Sequence, residues 1–228
     1  MDRDAEIDEL HPVRDKPVVF AWLRSHLRWH ITAWSRAYGF GWGEREIARH
    51  IEERDLVSRE WDELSAARDD DGRFVGVARA GRRAVGIVYA ETRIDRYLTL
   101  PVGVVSWLFV EPLSRGSGVA GLLLAATRTW MTGRGLPAAE LMVTAENLAA
   151  VKAYGKAGYE VIDHRMIARL GPPGGADGLA GSVGAALANV AQEPTVARGQ
   201  PDDDEGQGGD SEDDGGEDDG VDWIDEPV

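Results

Sequence analysis

The stretch Val102–Thr132, VGVVSWLFVEPLSRGSGVAGLLLAATRTWMT, constrains the fold more than any other part of the chain. From Val102 to Val110 the residues are mostly β-branched or aromatic with one serine inside, a composition that predicts a strand buried on both faces. Pro112 ends it. Further on, Val119, Leu122, Leu123, Ala126 and Trp130 recur at three- and four-residue spacing, which predicts a helix with one core-facing stripe, and Gly133, Gly135 and Pro137 stop that helix. Between strand and helix stands Arg115-Gly116-Ser117-Gly118-Val119-Ala120.

A strand that feeds a helix through glycines leaves backbone N–H groups pointing out of the helix start. The first turn has no intrahelical acceptors for them, the helix dipole adds partial positive charge, and the missing side chains of Gly116 and Gly118 let an anion approach the backbone. Arg115 adds a guanidinium. A glycine pair alone fits equally well a tight connection that binds nothing, so the surrounding sequence has to decide.

The spacing Arg115-x-x-Gly118-x-Ala120 resembles the acyl-CoA signature of the GNAT superfamily of N-acyltransferases. A second piece follows in the order that family uses: an apolar strand over Ala139–Thr144, then Asn147-Leu148-Ala149-Ala150-Val151-Lys152-Ala153-Tyr154-Gly155-Lys156-Ala157-Gly158-Tyr159, similar to its Asn, Tyr and Gly-aromatic pattern. The resemblance implies a mixed α/β (α+β) fold, with a central mixed, mostly antiparallel sheet flanked by helices and closing strands over Val161–Leu170. It also implies acetyl-CoA as co-substrate and an amine acceptor, and the family admits a homodimer. By motif, Phe109 and Val110 would offer backbone groups to the pantetheine arm, Arg115, Gly116, Ser117, Gly118, Val119 and Ala120 would hold the pyrophosphate, and Asn147 would approach from the opposite wall. Tyr154 falls where the family often protonates the departing thiolate. A phenol of pKa about 10 can supply that proton at neutral pH. The other reading of Tyr154 is a helix residue packed on the sheet.

Upstream, Leu10–Arg14 is expected as a first strand, with Asp15 and Pro17 as helix cap and opening. Phe20, Leu23, Leu27, Ile31, Trp34 and Tyr38 then line one face of a long helix, and His26 and His30 take packing or surface roles beside that stripe. Gly39-Phe40-Gly41-Trp42-Gly43 must be a loop, since each glycine costs a helix about 1 kcal/mol against alanine. By family resemblance this loop borders the acceptor site, with Phe40 and Trp42 offering apolar faces or else anchoring the loop. A second helix is expected over Glu44–Arg54 and a third around Val57, Trp61 and Leu64. Phe74–Ala80 and Ala84–Thr92 read as a hairpin turning at Gly81-Arg82.

No carboxylate lies inside Val102–Val110, and Met142 stands where some relatives carry a glutamate. Glu111 is expected to face solvent, and Glu91, Asp95, Tyr97 and His164 qualify as proton acceptors by rough position only. The absence of cysteine rules out disulfides and thiolate metal sites, and no metal is expected.

Charge divides the chain into an expected domain over residues 1–170 and an acidic tail over 171–228. The tail holds 16 of the 40 acidic residues and one of the 25 basic ones, a net −15, which leaves 24 of each sign in the body. Rich in Gly, Ala, Asp and Glu, it is expected to be disordered. A neutral body argues against nucleic acid as a partner, and the lack of an apolar run of roughly 20 residues argues against a membrane span and for a cytoplasmic protein. Two other functions fit the same residues: a non-catalytic acyl-CoA sensor or scaffold, and a domain that carries an acidic tail to a basic partner.

Overall fold

The computed structural model describes residues 5–169, so the expected tail lies outside the described residues. The elements are β1 (Glu6–Glu9), α1 (Pro12–Tyr38), α2 (Glu44–Glu53), α3 (Leu56–Ala67), β2 (Arg73–Ala80), β3 (Arg83–Ile94), β4 (Pro101–Val110), α4 (Val119–Gly133), β5 (Ala139–Leu141) and α5 (Leu148–Lys156). One sheet runs in the order β1-β2-β3-β4-β5, with every pairing antiparallel except β4 with β5. This is the expected mixed, mostly antiparallel sheet.

Both faces of the sheet are covered, which explains the unbroken apolar runs in β2, β3 and β4. On one face Ile87, Tyr89 and Trp107 pack with Val19, Trp22 and Leu23 of α1, Ile47 and Ile51 of α2, and Trp61 and Leu64 of α3. On the other, Val85, Val88, Ala90 and Val105 meet Val119, Leu123 and Met131 of α4. The stripe of α4 is rotated from the expected one. Leu124, Thr127 and Met131 are buried with Val119 and Leu123, while Leu122, Ala126 and Trp130 sit at its half-buried margin.

Two of the expected strands fail as well. The first strand is not Leu10–Arg14 but Glu6–Glu9, whose Glu-Ile-Asp-Glu sequence has little intrinsic β preference and is held by pairing with β2. His11, not Asp15, caps α1, its ring accepting from the Arg14 N–H at 3.2 Å. Asp15 instead is 1% exposed and binds Arg79 across 2.6 Å, with further bonds from Arg14 and the His11 N–H. Burial alone would raise its carboxyl, but these donors together hold it below the usual carboxylate range. The second failure is Val161–Leu170. Residues 161–169 form no strand and leave Val161, Ile162 and Met166 exposed, because β5 is only three residues long and gives them no ladder to extend. Leu170 lies outside the described residues.

Candidate active site

At the end of β4 the Glu111 N–H bonds Val85 O at 2.9 Å, and a single 3-10 turn over Pro112–Ser114 carries the chain to Arg115. Gly116 and Gly118 then adopt φ of 77° and 98°. A Cβ on either would meet nothing within 4 Å, so the backbone conformation, not crowding, calls for glycine. The first bond into α4 is Leu122 N–H to Gly118 O at 3.1 Å. The N–H groups of Val119, Ala120 and Gly121 precede it and have no intrahelical acceptor. With the dipole they make a helix start of the kind that suits an anion. The Val119 side chain is buried in the core, so the main chain is what this residue offers a ligand. Ser117 Oγ donates to Ser114 O at 2.6 Å and braces the turn. Arg115 Nε donates to Val110 O at 3.2 Å, which ties the guanidinium to the tip of β4 and engages the carbonyl that was expected to serve the pantetheine.

β4 and β5 part at this same end of the strand. Gly103, Val104 and Val105 pair with Ala139, Glu140 and Leu141, and the pairing goes no further. On the other side the β3–β4 register shifts: Tyr89 lies opposite Trp107 but Ala90 lies opposite Val105. Ser106 is therefore the extra residue of a bulge, a device that bends a strand and ends pairing. Bulge and parting coincide, and from Trp107 to Val110 the strand is bonded to β3 alone among the described residues.

A polar cluster sits on the bulge. Ser106 Oγ donates to Glu91 Oε1 at 2.9 Å, Arg93 binds the same carboxylate, and the Tyr89 hydroxyl lies 3.2 Å from both Glu91 and Glu63 of α3. Burial works against charge on Glu91, but Ser106, Arg93 and Tyr89 outweigh it and hold the carboxyl below its ordinary range. Burial, then the two glutamates, push the Tyr89 phenol well up. Glu91 is thus an anion and Tyr89 a neutral donor at neutral pH. Sequence position alone suggested Glu91; Ser106 and Glu63 were missed, because a bulge leaves no mark in a β-forming run. The other candidates lie elsewhere. Asp95 caps its own turn through the Tyr97 and Leu98 N–H groups, and Tyr97 is 83% exposed at that turn. His164 and Met142 are exposed, and Glu111 pairs with Arg83 rather than facing water alone.

The ring of Phe109 stacks on Trp22 at 5.5 Å, a packing role. Because the Glu111 N–H bonds Val85, Phe109 two residues before it also turns its N–H and C=O toward Ile87 of β3, so that Leu108 and Val110, not Phe109 as expected, present backbone groups at the open edge. The Gly39–Gly43 loop is a loop as expected, with Gly39 left-handed at the end of α1 and the Trp42 N–H bonded to Ser35 Oγ at 2.9 Å. Phe40 and Trp42 are half-buried and meet at a tilt at 5.6 Å, Phe40 stacks on Tyr38, and Trp42 meets His50 at 4.9 Å.

Asn147 caps α5, its Oδ1 accepting from the Ala150 N–H at 3.3 Å, which leaves the amide NH2 for other partners. Tyr154 is half-buried and meets Tyr159 edge-on at 6.0 Å. Burial, with Tyr159 beside it, raises its pKa, so it remains a proton donor. Arg128 of α4 bonds Ala157 O behind α5. No hydrogen bond or ring contact joins Asn147 or Tyr154 to the Arg115–Ala120 loop among the described residues. A separate surface hollow beside β1 is lined by Asp8, Arg14, Arg68 and Asp69; these side chains are paired among themselves or with Asp15 and Arg79, a structural network remote from the parting strands.

A sheet that opens at a bulge, beside a glycine-gated helix N-terminus, defines a frame for a ligand with an anionic end and an extended arm. The model of the acetyltransferase (GNAT) family matches residues 26–159, and the chain belongs to that family. Mycothiol acetyltransferase of Streptomyces bingchenggensis (strain BCW-1) is 30% identical over 125 residues, 54% of this chain, and the chain spans 39% of that relative's length. Among solved structures, PaiA N-acetyltransferase from Thermoplasma acidophilum in complex with coenzyme A superposes with TM-score 0.54 at 19% identity, covering 71% of this chain and 92% of the other. An aminoglycoside antibiotic 6'-N-acetyltransferase from Acinetobacter baumannii gives 0.51 at 14% identity over 74% and 99%. At these identities the structures speak for the fold. Among the described residues no helix is long and apolar enough to cross a membrane.

Proposed function

We propose that the chain transfers an acetyl group from acetyl-CoA to a primary amine carried by a small molecule, peptide or protein. The observation that carries this reading is the coincidence of the Ser106 bulge with the end of β4–β5 pairing, a few residues before the glycine-opened start of α4. Arg115 and the N–H groups of Gly116, Gly118, Val119 and Ala120 suit a pyrophosphate, and the open edge at Leu108 and the Val110 N–H suits the amides of a pantetheine arm. Acetyl-CoA brings the activated thioester carbon.

Starting from the ammonium, nitrogen loses one proton before it attacks that carbon and a second as the amide forms and the carbon–sulfur bond breaks; the thiolate takes up one proton and one is released to solvent. Glu91, ionised and bonded to Ser106, holds the incoming ammonium by its charge, and the proton that must leave before attack passes to water beside the Ser106 hydroxyl. Tyr154, kept protonated by its surroundings, supplies the thiol proton. Acetyl-CoA incubated with a panel of primary amines should release free thiol in an amine-dependent manner. Binding of acetyl-CoA without thiol release on any amine would reject the enzyme and favour a binding module.

A further inference from the structure

The core stripe of α1 does not stop where the sheet opens. After Val19, Trp22 and Leu23 it continues at four-residue spacing as His26, His30, Trp34 and Tyr38. These rings touch in succession, with centroids 5.7, 5.8 and 5.5 Å apart. At one end His26 meets Trp107, the residue after the bulge, at 5.8 Å. Beyond the parting, the Arg165 guanidinium lies 4.6 Å over the Trp34 ring and Arg36 pairs with Glu146 at 3.5 Å. The row is therefore bracketed by both walls of the opening, β4 on one side and the chain after β5 on the other.

Two features distinguish it from core. His26, His30 and Trp34 are only half-buried and Tyr38 is 43% exposed, so ring surface remains to be covered. The indole N–H groups of Trp34 and Trp107 are buried and have no acceptor among the described residues, and Trp107 is 8% exposed. A buried N–H without an acceptor is costly, and an oxygen on a bound molecule would satisfy it. Burial also keeps His26 and His30 below the usual histidine range. The two imidazoles are thus neutral, and the row meets a cation at Trp34, where Arg165 lies over the ring.

We propose that His26, His30, Trp34 and Tyr38 form the acceptor lane, and that it selects an amine carried on a flat aromatic body with a hydrogen-bonding oxygen. Aromatic pairs favour offset or tilted contacts at 4.5–7 Å, which is the spacing already present within the row. An aminoalkyl arm on such a body, running past Trp107, arrives at the Ser106–Glu91 pair. A polyol amine would leave all but one or two of its hydroxyls against ring faces, and a polyamine would find two carboxylates, Glu91 and Glu63, for several charges. This inference rests on the acetyl-transfer reading above.

Tyramine, phenethylamine, glucosamine and spermidine serve as probes. Calorimetry measures binding of each to the full chain saturated with CoA, and thiol release measures turnover with acetyl-CoA. Tyramine is expected to bind and react at least about tenfold better than glucosamine or spermidine. Trp34→Ala should weaken tyramine about tenfold with CoA affinity unchanged, while Trp29→Ala, an exposed tryptophan on the same helix, should not. Trp34→Phe keeps the ring and removes the donor, and should cost tyramine more than phenethylamine. CoA binding with no preference for tyramine, or tyramine affinity indifferent to both Trp34 variants, overturns the lane alone. Failure of the wild-type chain to bind CoA overturns the acetyl-transfer reading and the lane with it.

Discussion

His26 provides a quantitative test of how the α1 stripe is packed. Its ring lies between Trp107 and His30, and burial first, then the neighbouring His30, push its pKa from 6.5 down to about 4. In the unfolded chain the imidazole returns to its ordinary value. As pH falls below 6.5 the unfolded chain therefore takes a proton that the folded chain refuses. The contribution is fully present above pH 6.5 and is lost progressively down to about 4. At 1.36 kcal/mol per pKa unit the loss amounts to roughly 2–3 kcal/mol near pH 4.5. Urea unfolding of wild type and His26→Gln near pH 7 and near pH 4.5 reads this difference directly, because carboxylates shared by both proteins cancel. The wild type should lose roughly 2–3 kcal/mol more than the variant over that interval. Parallel losses would mean that the ring is not shielded as described, and the packing of α1 over Trp107 would have to be redrawn.

Other outcomes follow from the site and the sheet. Glu91→Gln keeps the shape and a hydrogen-bonding partner for Ser106 but removes the charge, and should lower turnover about 100-fold or more with CoA affinity unchanged by calorimetry. Tyr154→Phe should lower kcat by a similar factor while leaving the KM for acetyl-CoA near wild type, as steady-state kinetics would show. Gly103→Ala drives a methyl into the buried Met131 side chain, and thermal or urea unfolding should show a loss of about 1–3 kcal/mol.

The residues whose structure is local were readable in the sequence, and those that depend on distant partners were not. Gly116 and Gly118 can take a left-handed backbone without strain, so the strand, turn and α4 followed from a short window. The same holds for the Gly39–Gly43 loop and for the hairpin of β2 and β3. By contrast, Glu6–Glu9 becomes a strand only because β2 supplies a ladder and Arg79 binds Asp8. Asp15 looked like a helix cap because its burial against Arg79 is a contact across 64 positions. Ser106 read as an interior strand residue, since the bulge arises from a mismatch between β3 and β4 and not from a turn-forming residue. Glu63 lies on a helix face whose polar residues otherwise point to water. The ring row was half visible: the spacing of Trp34 and Tyr38 was plain, but assigning it to core required a sheet beneath it, and the sheet opens there.

The central claim is that the Arg115–Ala120 turn at the start of α4 holds the anionic end of acetyl-CoA. Calorimetric titration of acetyl-CoA into wild type and Gly118→Glu tests it most directly. A side chain at Gly118 enters open space, so the fold should survive apart from the strain of φ 98°, and retention of the wild-type far-ultraviolet circular dichroism would verify that. The carboxylate would then stand where phosphate is proposed to bind. Saturable binding to the wild type and none to the folded variant is the predicted result, and equal affinity in the two proteins would contradict the account.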